Sequence, residues 1–190
     1  MAYRIWFDPD LVIGLSKKFK VERFIETGTN VGDTAMWASA HFRSVVTIEI
    51  SPQTFDYRKK HILEPPDNIR WILGDSTSRL SDFLLEGNSM VWLDAHWSGG
   101  TTGGADIECP LLEELYSVSK SNHDHCILID NMSMFLRPPP KPHDPDKWPN
   151  IREVLASLPV GYYTVIKGDN LIAIPDAARS FLMDYLREHP

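Results

Sequence analysis

Short apolar runs alternate along the chain with segments whose apolar residues recur at helical spacing. This alternation predicts βα units on a parallel sheet, because strands that are buried on both faces are continuously apolar. The second run is followed by Ser51-Pro52, a cap and a first-turn proline that predict the start of a helix. We therefore predict five parallel strands, at residues 23–25, 45–50, 70–73, 90–93 and 125–129.

The end of the chain predicts a different arrangement. Two apolar runs, 162–166 and 171–174, flank the tetrapeptide Lys-Gly-Asp-Asn at 167–170. Runs that are separated by such a turn predict an antiparallel hairpin, which would close the sheet. A final helix is expected at about 176–187.

Six prolines lie between the fifth strand and this hairpin, in the segment 137–149. Such density excludes helix and sheet-interior pairing, so the segment is expected to be a stiff surface loop. Because it leaves the carboxyl end of a strand, we expect it to overhang the ligand crevice. With a short helical segment at 1–20, the predicted fold class is α/β. It is a single-domain, Rossmann-like, doubly wound sheet over residues 1–190, mostly parallel with a C-terminal antiparallel hairpin.

Composition and charge narrow the class of protein. The chain has 190 residues, of which 43% are hydrophobic and 24% charged, as is typical of a globular domain. Its formal net charge of −7 disfavours nucleic acid as a partner. No signal segment or membrane-spanning run is evident, and two cysteines are too few for a disulfide framework. We expect a cytoplasmic protein without a membrane partner, and the sequence leaves a homo-oligomer open.

The turn after the first strand holds the most specific pattern, Glu-Thr-Gly-Thr-Asn-Val-Gly at residues 26–32. Glycine turns at the carboxyl ends of strands let the backbone approach a ligand, a role that Gly28 and Gly32 fit. A dinucleotide site would have G-x-G-x-x-G, but Asn30 stands where a glycine is expected. The loop begins instead with Glu26, which would repel a pyrophosphate and suits a ligand with an ammonium group.

Further acids follow the next two strands. Glu49 ends the second strand, where an acid can accept hydrogen bonds from ribose hydroxyls. Asp75 ends the third strand, just before Ser76, and could accept from an adenine amino group. Asp33 is expected to cap the helix after the glycine loop. Each acid alone could equally be a solvated strand end or a cap, so their order and placement carry the interpretation.

In this order the motifs resemble those of the class I S-adenosylmethionine (SAM)-dependent methyltransferases, whose first motif reads acid-x-Gly-x-x-x-Gly. The resemblance covers about residues 21–174. In that family the acid ending strand two holds the ribose and a Gly-Asp pair after strand three lies near the adenine, which Glu49 and Asp75 match. The resemblance implies SAM as cofactor. The implied cofactor-binding residues are Glu26, Thr27, Gly28, Asn30, Gly32, Glu49, Asp75, Ser76 and Asp94.

Polar residues also end strands four and five: Asp94, then Asp130 and Asn131. Hard divalent cations such as Mg²⁺ prefer oxygen ligands of this kind. The arrangement is similar to that of the metal-dependent catechol O-methyltransferases, where the ion binds both substrate hydroxyls. The resemblance implies that these three residues bind Mg²⁺ or another divalent cation. An Asp-Asn pair is also a common turn that caps backbone groups, so a structural role is equally compatible.

That group carries a lysine base three residues after the first aspartate, and here Trp97 occupies the place. His96 is the obvious substitute, because an imidazole with an ordinary pKa of about 6.5 can take a hydroxyl proton at neutral pH. We therefore predict Asp94 and His96 as catalytic residues. His96 could instead be a metal ligand or a hydrogen-bonded loop residue.

The sequence thus predicts an enzyme, a SAM-dependent methyltransferase that methylates a hydroxyl of a small-molecule acceptor. The glycine-rich loop 98–108 is expected to be a mobile lid. An alternative is an iron-dependent hydroxylase on the same fold, with Asp94, His96, Glu108 and Asp130 as ligands. A second alternative is a SAM- or nucleoside-binding protein without catalysis.

Overall fold

A computed structural model describes residues 3–99, 104 and 106–189 of the chain. The strands in these residues are β1 (Arg23–Thr27), β2 (Ser44–Glu49), β3 (Ile69–Leu73), β4 (Met90–Leu93), β5 (Cys126–Ile129), β6 (Tyr162–Lys167) and β7 (Asn170–Pro175). They form a sheet in the spatial order β3-β2-β1-β4-β5-β7-β6. The predicted parallel strands and the C-terminal hairpin are confirmed.

The helices in the described residues are α1 (Pro9–Phe19), α2 (Asp33–Ser39), α3 (Pro52–His61), α4 (Ser76–Leu84), α5 (Leu111–Ser119), α6 (Ile151–Ser157) and α7 (Arg179–Glu188). The prediction that Asp33 caps α2 is wrong. Gly32 is the N-cap residue, because its φ of 91° turns the chain into the helix. Helix α6 is not predicted from the apolar pattern, and its local signal is a capping box of Asn150 and Glu153. Among these helices, none has both the length and the apolar character needed to cross a membrane.

The sheet topology reverses at its centre. β1 pairs in parallel with β2 on one side and with β4 on the other. β7 runs antiparallel between β5 and β6, so the β6–β7 turn lies at the edge where β5 ends. The carboxyl ends of β1 to β5 and this turn therefore share one edge, where open α/β sheets bind ligands.

An apolar cluster covers each face of the sheet. On one face Ile25 and Val91 pack with residues of α4, α5 and α6. On the other face Phe24 and Trp92 pack with residues of α1, α2 and α7. Successive strand residues point to opposite faces, so neighbours such as Phe24 and Ile25 enter different clusters. Burial on both faces is the reason that the strands are continuously apolar in sequence.

The proline-rich segment 137–149 is a loop with a short 3₁₀ turn at Pro145–Lys147. Most of it is exposed, but Pro139, Trp148 and Pro149 are buried. The Trp148 ring packs against Phe135, with 5.7 Å between the ring centroids. The expectation of a wholly superficial loop is therefore corrected, since an aromatic side chain anchors it in the core.

His125 is fully buried immediately before β5. Its Nδ1 accepts a hydrogen bond from the backbone N–H of Ser89 at 3.2 Å, and its Nε2 lies 2.9 Å from Ser121 Oγ. Burial lowers the pKa of His125 to about 4, and the charges of His123 and Arg23 add to the effect. The imidazole is therefore neutral in the folded protein at neutral pH.

We predict that mild acid destabilises the protein through His125. The unfolded chain protonates this residue at its ordinary pKa of 6.5, whereas the folded protein resists protonation until about pH 4. The stabilisation is therefore full above the unfolded pKa and is lost as the pH falls through this window, by up to about 3 kcal/mol. In urea unfolding at a series of pH values, His125→Asn should reduce the slope in this window.

The asparagine oxygen can still accept from Ser89, so the variant is expected to fold. His61 is exposed and provides the control, because His61→Asn should keep the wild-type slope. An unchanged slope in His125→Asn would contradict the assignment.

Candidate functional site

A cavity of about 750 Å³ opens along the carboxyl edge of the sheet. Its volume lies within the range of small-molecule sites, roughly 300–1,000 Å³. Its walls come from residues that follow β1 to β5 and from the β6–β7 turn, so polar side chains that are distant in sequence share one space. The predicted site residues in its lining are Gly28, Asn30, Glu49, Asp75, Ser76, Asp94, His96, Asp130 and Asn131.

The loop after β1 passes very close to the end of β4. The φ of Gly28 is 85°, and a Cβ at this residue would lie 2.2 Å from the carbonyl oxygen of Asp94. The N–H of Gly28 donates to the carbonyl of Ile48 at 2.9 Å, which ties the loop to β2. Glycine is required here for both its conformation and its small size.

Glu49 and Asp75 line the cavity at the ends of β2 and β3. The Glu49 carboxylate accepts from the backbone N–H of Asn30 at 3.0 Å and of Ser51 at 2.8 Å, one on each oxygen. Asp75 caps α4 by accepting from the N–H and the hydroxyl of Thr77 at 2.9 and 2.8 Å. Burial raises the pKa of Glu49, and the backbone hydrogen bonds oppose this. Both carboxylates are thus fixed locally, and their remaining lone pairs can accept from a ligand.

Glu26 lies beneath the cavity rather than in its lining and is 1% exposed. Its carboxylate accepts from the hydroxyl of Thr47 on β2 at 2.5 Å. Burial raises its pKa to about 8, while the hydrogen bond from Thr47 opposes the shift. The expectation that this carboxylate meets a ligand ammonium group is therefore corrected. The residues of β1 alternate between two buried faces, and Glu26 enters the face that α2 covers.

Thr27 and Gly32 also lie outside the cavity lining. The Thr27 hydroxyl accepts from the N–H of Asp94 at 3.3 Å and is hydrogen-bonded to Glu114 of α5, on the face opposite Glu26. Gly32 serves as the N-cap of α2. Burial raises the pKa of Glu114 to about 7. A buried carboxyl group thus lies below the cavity on each face of the sheet.

Asp94, His96, Asp130 and Asn131 come together where β4 and β5 end. His96 Nε2 lies 3.1 Å from Asp94 Oδ1 and 2.5 Å from Asn131 Nδ2. Asp130 Oδ1 accepts from the side-chain amide of Asn170 at 2.8 Å, so the first residue of β7 holds it in place. The candidate ligand atoms of Asp94, His96 and Asp130 all lie within 4.8 Å of one another. This grouping contains two of the three ligands that the resemblance implies, together with His96, which the sequence also allows as a ligand.

The close spacing of ionisable groups in this cluster shifts the pKa values of Asp130 and His96. Burial and the nearby charge of Asp94 raise the pKa of Asp130 to about 7. Burial disfavours the charged form of His96, but its hydrogen bond and charge interaction with Asp94 outweigh this and raise the pKa of His96. His96 Nδ1 is buried, whereas Nε2 contacts Asp94 and Asn131. His96 therefore interacts with the site through Nε2.

Glu108 holds the proline-rich loop. Its carboxylate lies 2.9 Å from Trp148 Nε1, 3.1 Å from His143 Nδ1 and 3.2 Å from the backbone nitrogen of Asp144, and accepts from all three. Its carbonyl accepts from the N–H of Trp97 at 2.7 Å. The predicted four-residue iron site therefore loses Glu108, because the loop engages both oxygens of this carboxylate.

The sequence predicts that the proline-rich loop overhangs the crevice, but the loop packs against the ring of His96 instead. The ring centroids of Trp148 and His96 are 5.5 Å apart. His143 packs edge-on against Trp97 and Trp148, at 5.4 and 5.2 Å. None of the residues 137–149, all of which the structure describes, lines the cavity. Trp97, at the place of the lysine base, thus belongs to an aromatic group that supports His96.

Among the polar and aromatic residues of the lining, Trp6 and Asp169 were not identified from the sequence, and Asp106 belongs to the predicted lid at 98–108. Asp169 could have been found, because an antiparallel return beside β5 brings the β6–β7 turn to the carboxyl edge. Trp6 precedes α1, and no pattern around it signals a site. The predicted lid at 98–108 lies partly outside the described residues.

Replacement of Gly28 by alanine should destabilise the protein by about 3 kcal/mol or more, through both backbone strain and the clash with the Asp94 carbonyl. Gly161→Ala is a matched control, since Gly161 has a φ of 83° and a Cβ there would meet nothing within 4 Å. That variant should lose only the strain contribution, about 1 kcal/mol. Urea unfolding measures the free energy of unfolding of both variants. Equal losses of stability would contradict the close contact between Gly28 and the Asp94 carbonyl.

Loss of the Glu108 carboxylate should release the proline-rich loop while leaving the sheet intact. In Glu108→Ala the buried Trp148 Nε1 loses its acceptor, at an expected cost of about 1–3 kcal/mol. Amide hydrogen exchange should rise in residues 140–149 and stay unchanged in β1 and β4. The exposed Glu113 supplies the control variant Glu113→Ala. Equal protection of the loop in all three proteins would contradict the anchoring role.

No protein-family model and no curated protein matches the sequence. Among solved structures, the chain is similar to the O-methyltransferase TomG from Streptomyces achromogenes, which is involved in tomaymycin synthesis and is in complex with SAM. The TM-score is 0.61 at 16% identity, over 90% of this chain and 82% of that one. It is also similar to the S-adenosylhomocysteine (SAH)-bound methyltransferase PaMTH1 from Podospora anserina, with a TM-score of 0.60 at 18% identity, over 86% and 75% of the two chains. The chain therefore has the Rossmann-like fold of these methyltransferases, which confirms the predicted fold class.

Proposed function

We propose that this protein is a SAM-dependent methyltransferase that acts on an oxygen atom of a small-molecule acceptor. The observation that carries the proposal is the order of polar groups along the cavity. Glu49 and Asp75 follow β2 and β3, the Gly28 loop lies at the sheet reversal, and Asp94 with His96 follows β4. A nucleoside and a reacting group can thus bind on opposite sides of the reversal point. The similarity in fold to methyltransferases supports this assignment.

The residues on the β2 and β3 side suit SAM. Glu49 can accept hydrogen bonds from two ribose hydroxyls, because Asn30 and Ser51 hold its oxygens in place. Asp75 is available to an adenine amino group, and Gly28 lets the backbone approach the ligand. SAM, when bound, supplies an electrophilic methyl group.

His96 is the proposed base. Its Nε2 accepts the proton of the acceptor hydroxyl, and Asp94 Oδ1 at 3.1 Å stabilises the imidazolium that forms. The raised pKa of His96 favours that protonated state. Asn131 Nδ2 lies 2.5 Å from the same nitrogen and donates to it, so this hydrogen bond must be exchanged for the acceptor hydroxyl when the acceptor binds. The contribution of the protein is to position the acceptor oxygen and to remove its proton.

The same cluster suits a divalent cation. Asp94, Asp130 and Asn131 offer oxygen atoms, which Mg²⁺ and Mn²⁺ prefer. A bound cation would lower the pKa of a coordinated hydroxyl and so assist its deprotonation. We assign these three residues as its ligands, which leaves His96 Nε2 for the proton.

The two alternative functions account for fewer of these contacts. The iron site of the hydroxylase alternative loses one of its four candidate ligands, because the proline-rich loop engages the carboxylate of Glu108. A binding protein without catalysis would not require the pairing of Asp94 with His96. Methyl transfer to oxygen uses both the nucleoside side of the cavity and this pair.

Calorimetry with SAM and SAH tests the cofactor site. We expect wild-type protein to bind both compounds and Glu49→Ala to bind them at least about tenfold more weakly, because hydrogen bonds to a charged group contribute about 1.5–3 kcal/mol. Glu64→Ala should match the wild type, since Glu64 is exposed and outside the cavity lining. Asp130→Asn should keep its affinity for SAM and lose the heat of Mn²⁺ binding.

Two outcomes would contradict parts of this proposal separately. If wild-type protein binds neither SAM nor SAH at millimolar concentration, or binds NAD more tightly, the methyltransferase assignment fails. If SAM binds and Asp130→Asn takes up Mn²⁺ as wild type does, only the metal assignment fails.

A further inference from the structure

Among the described residues, the ionisable side chains that line the cavity are acidic, apart from His96. No lysine or arginine is among them. Residues 100–103 and 105 lie outside the described part of the chain, and in the sequence they are glycine, threonine and alanine, which carry no charge. The six acidic residues of the lining are Glu49, Asp75, Asp94, Asp106, Asp130 and Asp169.

These acids differ in their place along the sheet edge. Two lie at the proposed nucleoside side, and Asp94 and Asp130 belong to the cluster around His96. A bound divalent cation would offset the charge of that cluster. Asp169 lies in the β6–β7 turn, farther from the nucleoside side than the end of β5. The proposed cofactor site, base and metal ligands do not include Asp169, although its charge acts on the neighbouring Asp130.

The Asp169 carboxylate has a defined position. It accepts from the backbone N–H of Ser133 at 2.6 Å and from its hydroxyl at 3.1 Å. The nearby ammonium group of Lys167 pairs instead with Asp8 at 3.6 Å and donates to the carbonyl of His189 at 2.5 Å. Within the described residues, no salt bridge reaches Asp169.

Another cation lies near the cavity wall. The guanidinium of Arg4 lies 4.1 Å from the ring centroid of Trp6, which lines the cavity. One face of this ring is therefore taken by the chain itself. The ring can offer a ligand only its other face. The lining acids outside the nucleoside side and the His96 cluster are Asp106 and Asp169. Of these two we choose Asp169, because Ser133 holds its carboxylate beside the end of β5.

We infer that the acceptor is a hydroxyl compound that also carries an ammonium group, which Asp169 binds while the hydroxyl meets His96. The inference rests on the proposed function and names the substrate class of the same site. A cleft lined by one sign of charge focuses its field on an entering ligand, which attracts a cation and repels a carboxylate or a phosphate. A neutral polyol would gain less from the fixed charge of Asp169.

Three phenols of similar size and different charge test this inference: tyramine, 4-ethylphenol and 4-hydroxyphenylacetate. Their binding is measured by calorimetry on the full chain saturated with SAH. We expect tyramine to bind at least about tenfold more tightly than 4-hydroxyphenylacetate, with 4-ethylphenol between them. Asp169→Asn should reduce this ratio several-fold. Asp184→Asn should leave it unchanged, because Asp184 lies on α7 with its side chain 71% exposed.

Three results would overturn the inference that the acceptor carries an ammonium group. These are equal binding of the three phenols, tighter binding of 4-hydroxyphenylacetate, and no binding of any phenol at millimolar concentration. An unchanged preference in Asp169→Asn would overturn the role of Asp169. Titration with SAH comes first and separates the two levels of proposal. Absent SAH binding contradicts the methyltransferase assignment, whereas normal SAH binding without a preference for tyramine contradicts only the inference. The comparison on wild-type protein does not depend on the folding of any variant.

Discussion

Where the sheet reverses, the backbone of Gly28 passes so close to the carbonyl of Asp94 that a Cβ would lie 2.2 Å from its oxygen. Gly28 and Asp94 both line the cavity, so this close contact between the loop after β1 and the end of β4 forms part of its wall. The same loop continues to Asn30, whose N–H fixes Glu49, while the other side of the contact leads within two residues to His96. The Glu49 side and the His96 side of the cavity are therefore linked through this backbone contact.

The floor below this contact is polar, which is unusual for the middle of a doubly wound sheet. Glu26 and Glu114 are each 1% exposed and lie on opposite faces, under helices that otherwise bury apolar side chains. Burying such groups opposes folding unless they are hydrogen-bonded or neutral. Hydroxyl groups such as that of Thr47 supply hydrogen bonds, and burial favours the protonated carboxyl. The floor can thus hold the loop by hydrogen bonds without placing two more full negative charges beneath an already acidic cavity.

The sequence predicts features that depend on position along a strand and misses features that depend on distant partners. Strand ends are visible as the ends of apolar runs, so Glu49 and Asp94 could be assigned to the sheet edge from the sequence alone. The face that Glu26 enters depends on the register of β1, and one residue changes it. Glu108 receives its hydrogen bonds from residues about 35 to 40 positions later, and nothing periodic in a proline-rich loop predicts that return.

The same distinction between local and distant partners separates the side of the cavity proposed for the nucleoside from the side proposed for the acceptor. On the nucleoside side, backbone N–H groups of adjacent loops hold the carboxylates, so local sequence determines the geometry. On the acceptor side, the β6–β7 hairpin provides the support: Asn170 donates to Asp130, and the preceding Asp169 lines the cavity. Because these two residues are consecutive, a shift of the hairpin would move both the amide that orients Asp130 and the carboxylate that we propose binds the acceptor. In the proposed function, acceptor recognition and the Asp94–His96 pair would therefore be coupled through a single turn, whereas other contacts hold Glu49 and Asp75.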